Sequence, residues 1–238
     1  MNGWEDFMNK KLRIMGIPFV FLLFSMCGKR DVIINKTEFE PSDLEDWVVE
    51  LQDNVGNVSV KGGDLDIDVP KGASVWFRQK LRAPVIIEYD VTVVDNGRPH
   101  ERVSDLNCFW MATDPRCPDG FFACSDSVRT GNFASYHDLK TYYVGFGGNN
   151  NSTTRFRRYR GNGERPLLPE HDLGAPYLLK PNQSVNVRLT AIGNKISFRR
   201  NGKVIFEFYD PEPLTEGYFA FRTVTNHLRV HNIKISTH

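Results

Sequence analysis

Short runs in which apolar and polar residues alternate dominate this chain. In residues 63–69 (GDLDIDV), Leu65, Ile67 and Val69 fall on one face and the aspartates on the other, the period of a strand with one buried face. The same pattern runs through 84–94 (PVIIEYDVTVV), and strand-like runs cover 44–51, 57–61, 74–79 and 106–112. NVGN, KGG and PKGA read as the turns between them. Further runs follow at 184–192, 195–200, 203–209, 217–224 and 227–235. Asn201-Gly202 separates two of them and predicts a two-residue hairpin of type I′, because both residues accept a positive φ. Residues 95–105 and 162–181 read as loops, the second too long for a mere connection and so a candidate lid or rim.

This series of short strands, with no convincing long helix, predicts an all-β fold: a two-sheet antiparallel sandwich. A chain of 238 residues, 40% hydrophobic, can bury one large core. Its 30 basic and 29 acidic side chains leave a net charge of +1, so no overall field favours nucleic acid, and a monomer is expected.

The N-terminus reads as an export segment. Lys10, Lys11 and Arg13 precede an apolar run, 14–24 (IMGIPFVFLLF), that is too short to span a bilayer and is broken by Pro18, so Met8 is a plausible start. Phe24-Ser25-Met26-Cys27 resembles a bacterial lipoprotein processing site, although Phe24 and Met26 depart from its pattern, and makes Cys27 the residue to be acylated. Residues 1–27 are then the signal, 28–42 a linker and 43–238 the domain. The protein would work in the periplasm or at the cell surface, meeting a membrane only through its lipid anchor. A cleaved signal or an apolar anchor are the alternatives. Cys117 and Cys124 flank a turn and could bridge in an oxidising compartment, leaving Cys108 buried in a strand.

Candidate chemistry concentrates in residues 129–160 (RTGNFASYHDLKTYYVGFGGNNNSTTRFRRYR). Arg129, Tyr136, His137, Tyr142, Tyr143, Arg155, Arg157 and Tyr159 gather around a Gly/Asn turn. Alternation puts Arg155 and Arg157 on one face of a strand, with Arg158 and Arg160 expected as solvated partners of loop acids. The 145–151 segment (GFGGNNN) lacks the Lys-Ser/Thr and following helix of a phosphate loop and reads as a tight turn at a cleft rim. The cysteine spacings fit no zinc pattern and no dense series of calcium ligands occurs, so neither a metal nor another cofactor is expected.

The order W-x-V, G-x-L-x-I, V-W-F-R, then N-G-K-x-I-F, G-x-F-A-F-R and L-x-V-x-N-I-K-I resembles the concanavalin/laminin-G-like jelly roll. The R-T-G-N-F-x-x-Y-H segment (129–137) and the Asn150-to-Arg158 run resemble the YesU-like group of bacterial concanavalin-like proteins. That group accompanies genes for using rhamnogalacturonan and other acidic polysaccharides. The resemblance implies a saccharide on one sheet face and an acidic polysaccharide or oligosaccharide as partner, with no assigned mechanism.

Three activities fit these residues. A polysaccharide lyase acting by β-elimination needs a carboxylate-neutralising Arg, a base and an acid, for which Arg155, His137, Tyr136 and Tyr142 are candidates. Arg129, Arg157, Asn107, Trp110, Asn149, Tyr159 and His171 are candidates for holding the substrate. A non-catalytic glycan-binding protein would use the same arginines and rings; a glycoside hydrolase would draw on Asp138, Glu164, Glu170 or Asp172, none in a paired motif. Against all three stands a structural reading: Trp47, Trp76 and Trp110 occupy alternating strands and are more often core than platform.

Overall fold

A computed structural model describes residues 37–238. The export signal, the Met8 start and Cys27 lie outside the described residues. The chain runs through β1 (Thr37–Phe39), β2 (Trp47–Leu51), β3 (Asn57–Lys61), β4 (Asp64–Phe77), β5 (Leu81–Arg82), β6 (Val85–Val93) and β7 (Leu106–Thr113). After a looped segment come β8 (Lys140–Gly147), β9 (Thr153–Arg160) and β10 (Asp172–Leu173). It closes with β11 (Ser184–Ile192), β12 (Lys195–Arg200), β13 (Lys203–Tyr209) and β14 (Glu216–Thr237). All pairings are antiparallel, as the alternating runs predict.

Two strands make the sandwich. The first half of β14 pairs with β7 on one side and with the second half of β4 on the other. Its second half pairs with β6 and the first half of β4. Both strands therefore pass from one sheet into the other. The front sheet is ordered β10-β9-β8-β7-β14-β4-β2, and the back sheet β13-β12-β11-β6-β14-β4-β3, with β1 beside the end of β14.

Here the structure departs from the sequence pattern. PKGA, expected as a turn, is the interior of β4, and the runs 217–224 and 227–235 are one strand. The register irregularity between Val224 and Asn226, with Thr225 at φ 46°, bends β14, and Thr225 Oγ1 bonds the Pro70 carbonyl at 2.8 Å. A bulge of this kind changes a strand's direction without ending its ladder. The expected linker also contributes: Thr37–Phe39 pairs with the end of β14.

Between the sheets lies one apolar core, built from Leu65, Ile67, Val69, Ile87, Trp110, Val144, Phe198, Phe221 and Ile235 with their neighbours. A second, smaller cluster covers part of the front sheet's outer face, where Trp76, Phe109, Phe121, Tyr136, Leu139, Tyr143 and Tyr159 pack together. The segment 114–139 supplies its cover, and Cys117 and Cys124 are bridged there while Cys108 is free and buried. Among the described residues no helix is long and apolar enough to cross a membrane.

Candidate functional site

The outer face of the front sheet is polar where the 114–139 segment leaves it open. Strand register lines up one row across it: Arg222 on β14 beside Asn107 on β7, then Gly145 on β8, Arg155 on β9 and Asp172 on β10. In the next row Phe109, Tyr143 and Arg157 are neighbours, and Tyr159 follows two residues along β9. Because side chains alternate, this face excludes Tyr142, Val144, Phe146 and Phe156, which enter the core. A cleft of about 300 Å³ results, with Asn107, Tyr143, Gly145, Arg155, Arg157 and Tyr159 as floor and Phe133, Asn149, Arg165 and Asp105 as walls.

Gly145 opens the floor. A Cβ there would stand 2.9 Å from the Tyr143 hydroxyl, so any side chain would push into the ring that forms the next step of the cleft. Asn149 sits at the rim in a left-handed turn, with Asn149, Asn150 and Asn151 all at positive φ, a conformation asparagine tolerates better than most residues.

The wall bearing Phe133 is held by a buried polar network. Arg129 pairs with Glu50 and with Asp114, both at 2.9 Å, and donates to the Phe121 carbonyl at 2.7 Å. Glu50 also accepts from Trp76 Nε1 and from the Tyr136 hydroxyl, each at 2.8 Å. Gly131, at φ 74°, lies so close to β2 that a Cβ would be 2.1 Å from the Gln52 nitrogen. Only glycine fits there. The short helical turn Phe133–Tyr136 then begins with Asn132 Oδ1 accepting from the Ala134 nitrogen at 2.9 Å.

The cleft is short of negative charge. Arg155 forks onto Asp172 at 2.7 and 3.1 Å and holds that carboxyl below its usual range. Arg102 pairs with Asp105 at 2.7 Å. Arg157 instead donates to the Arg165 carbonyl, and Arg165 lies over the Tyr159 ring at 5.5 Å. Among the described residues neither has a carboxylate partner. Arg222, 1% exposed, donates to the Gly131 carbonyl at 2.7 Å and sits over the Phe133 and Tyr136 rings, with Nε and Nη2 unpartnered. Burial depresses both Arg157 and Arg222, and for Arg222 the more distant charges of Asp105 and Glu50 offset it only in part. Asn107 Oδ1 is also buried without a partner.

Burial holds the Tyr143 and Tyr159 hydroxyls above their ordinary value, so both are protonated at neutral pH. His137 stands edge-on to Phe133 at 5.2 Å, behind the cleft wall and half-buried. Burial and then the Arg165 charge lower it, so its imidazole is neutral at pH 7, and Nε2 has no hydrogen-bond partner. Among the described residues no three His, Cys, Asp or Glu side chains converge as a metal site.

Of the expected site residues, Arg155, Arg157, Asn107, Asn149 and Tyr159 meet in the cleft, and His137 borders it. The others do not. Tyr136 is spent on Glu50 beneath the wall, and Arg129 is a buried anchor of that wall rather than a ligand of the cleft. Tyr142 points into the core, donating to Asp210 at 2.8 Å and accepting from the Leu214 nitrogen at 2.9 Å. Trp110 is fully buried, and His171 is edge-on to Phe156, Phe206 and Phe208. Arg158, expected in solvent, pairs with the buried Asp210, whereas Arg160 pairs with exposed Glu164 as expected. Sequence reasoning left Phe133, Gly145, Asp105, Arg165 and Arg222 out of the site. Alternation along β9 groups Tyr159 with Arg155 and Arg157, but only the β8–β9 register puts Tyr143 and Gly145, rather than Tyr142, on that face; the loop residue Arg165 and the distant Arg222 carry no local signal.

Similarity to solved structures agrees with this architecture. A protein of unknown function with a galectin-like fold from Bacillus subtilis superposes with a TM-score of 0.63 at 18% identity, over 84% of this chain and 94% of its own. Carbohydrate-binding module CBM66 from the same organism superposes with a TM-score of 0.52 at 12% identity, over 79% and 94%. A prokaryotic β-1,3-1,4-glucanase (lichenase) derived from a mouse hindgut metagenome gives 0.50 at 11%, over 86% and 99%. At these identities the likeness establishes the fold, an antiparallel jelly-roll sandwich. No curated protein matches the chain in sequence. Residues 67–233 match the model of a domain of unknown function, DUF6250, and the chain belongs to that family.

Proposed function

We propose that the cleft binds an acidic glycan, one containing uronate residues. The observation that carries this reading is the set of uncompensated guanidiniums: Arg157 and Arg165 face the cleft, and buried Arg222 lies beside it, none with a carboxylate partner among the described residues. An unpaired cation withdrawn from water is costly, and a bound anion supplies the missing counter-charge. A guanidinium's planar fork suits a carboxylate, the Tyr143 and Tyr159 rings offer apolar surface to a sugar face, and Asn107 and Asn149 offer amides to its hydroxyls. The fold supports the reading, since CBM66 and the lichenase are carbohydrate-binding and carbohydrate-cleaving proteins by name. The Cys117–Cys124 bridge supports an exported protein that meets such glycans outside the cytoplasm.

Calorimetric titration of the soluble domain with uronate oligosaccharides and with neutral ones of equal length tests the proposal. Selective binding of the acidic set, weakened by salt, is expected. Equal binding of both sets, or of neither, defeats it.

One observation favours β-elimination as a second reading. His137 is a neutral base with a free Nε2 beside the arginines, and the protonated Tyr143 and Tyr159 are acids. Elimination would move the uronate C5 proton to the imidazole, form the C4–C5 double bond and pass a phenolic proton to the departing oxygen. His137 must first be exposed by movement of Phe133. Ultraviolet absorbance of an unsaturated uronide, lost in His137→Ala, is the test. Hydrolysis has less support, because Asp105 is the carboxylate lining the cleft and it is paired with Arg102.

A further inference from the structure

We propose that the ligand of this cleft carries two neighbouring carboxylates and that Asp172 enforces this requirement by keeping Arg155 occupied. The inference rests on the acidic-glycan reading above and adds a count and a gatekeeper to it. Arg155 and Arg157 project from the same face of β9, two residues and so about 7 Å apart. They differ in one respect. Arg155 is neutralised within the protein by the two-oxygen contact with Asp172, while among the described residues Arg157 meets a carbonyl and Arg165 the Tyr159 side chain, neither a carboxylate.

Pairing off the charges around the cleft leaves Arg157 and Arg165 facing it without acids among the described residues, after Arg102 is assigned to Asp105 and Arg155 to Asp172. A ligand with one carboxylate satisfies one of the two. A stretch of consecutive uronates satisfies both, and each charge-assisted contact made in a partly buried site is worth about 1.5 kcal/mol or more, roughly tenfold in affinity.

Asp172 is placed to set that threshold. It belongs to the two-residue edge strand β10, held to β9 through Asp172 opposite Arg155 and Leu173 opposite Thr154. It stands outside the cleft lining and reaches Arg155 from the side, with both side chains about one-third exposed. A lone carboxylate arriving at Arg155 must displace a partner with the same geometry and gains little. With Asp172 neutral, Arg155 becomes a third receptor, and a ligand with one carboxylate gains a further place to bind.

Calorimetric titration distinguishes these outcomes, using galacturonate, glucuronate and mannuronate each as monomer, dimer and dimer with one carboxyl methyl-esterified, against the wild-type domain and Asp172→Asn. Wild type should bind at least one dimer about tenfold more tightly than its monomer and its half-ester. Asp172→Asn should bind the half-ester severalfold more tightly than wild type does. Equal wild-type affinity for dimer and half-ester overturns the two-carboxylate count, and half-ester affinity unchanged in Asp172→Asn overturns the role of Asp172. Absence of binding by both proteins to every uronate removes the acidic-glycan reading itself. Thermal melting of Asp172→Asn checks that a substitution at this strand edge leaves the fold intact.

Discussion

Asn107 and Arg155 face one another across the bare backbone of Gly145, each bonded in register to the same central strand. That gap is what makes the cleft a cleft. Gly145→Val would set branched carbons where a Cβ alone is 2.9 Å from the Tyr143 hydroxyl, raising the floor and displacing the ring. We expect saccharide binding to fall at least about tenfold by calorimetry while the melting temperature moves by only a few degrees, since β-branched residues suit a strand. Unaltered affinity would show that ligand does not cross this gap.

Arg157 and Arg158 are neighbours with opposite duties. Arg158 pairs with buried Asp210, whereas Arg157 turns to the cleft with no acid among the described residues. Arg157→Gln should therefore abolish most of the selectivity for acidic over neutral oligosaccharides, with a loss on the order of tenfold or more, and leave denaturant stability unchanged or improved, because an uncompensated charge is removed. Arg158→Gln should do the reverse, lowering stability by about 3 kcal/mol through the unpaired Asp210 and sparing binding. Paired calorimetry and urea unfolding separate the two.

The cleft wall depends on Arg129. Replacing it with Met leaves Glu50 buried without its cation, while Asp114 keeps Arg116 at 2.8 Å, and should cost about 3 kcal/mol in urea unfolding. Glu50 is already raised by burial, and losing the Arg129 charge raises it further, so both proteins should gain stability as this carboxyl protonates with falling pH and the variant should gain more. A stability difference between the two that is flat from pH 7 to 4 would contradict this account.

His137 and His171 are both lowered by burial, so the folded protein binds these protons less readily than the unfolded chain. As pH falls below the unfolded value of about 6.5, the unfolded state takes up protons first and stability declines, until the folded-state values are reached. Asn at both positions should flatten the stability profile between pH 6.5 and 5. Thermal melts in that window measure it, and an unchanged slope would show that neither imidazole resists protonation in the fold.

The alternating runs identified most of the strands, the antiparallel sandwich and the face shared by Arg155 and Arg157, because burial of one strand face writes period two directly into local sequence. Tyr142, a candidate acid by residue type, has its ring in the core while its neighbour Tyr143 lines the cleft, because one step along a strand changes the face. Tyr136 and Arg129 looked like site chemistry because their polar groups are real; their partner Glu50 lies 86 and 79 residues away, and no local pattern announces it.

Local sequence determined where strands run and which way their side chains alternate, since those depend on backbone geometry and burial within a few residues. The row from Arg222 through Asn107, Gly145 and Arg155 to Asp172 draws on five strands, and register between distant strands decided its order. The charge imbalance was decided there too. An arginine is a structural tie or an open receptor according to whether folding brings a carboxylate within reach, and Arg155 found Asp172 while Arg157 found only a carbonyl.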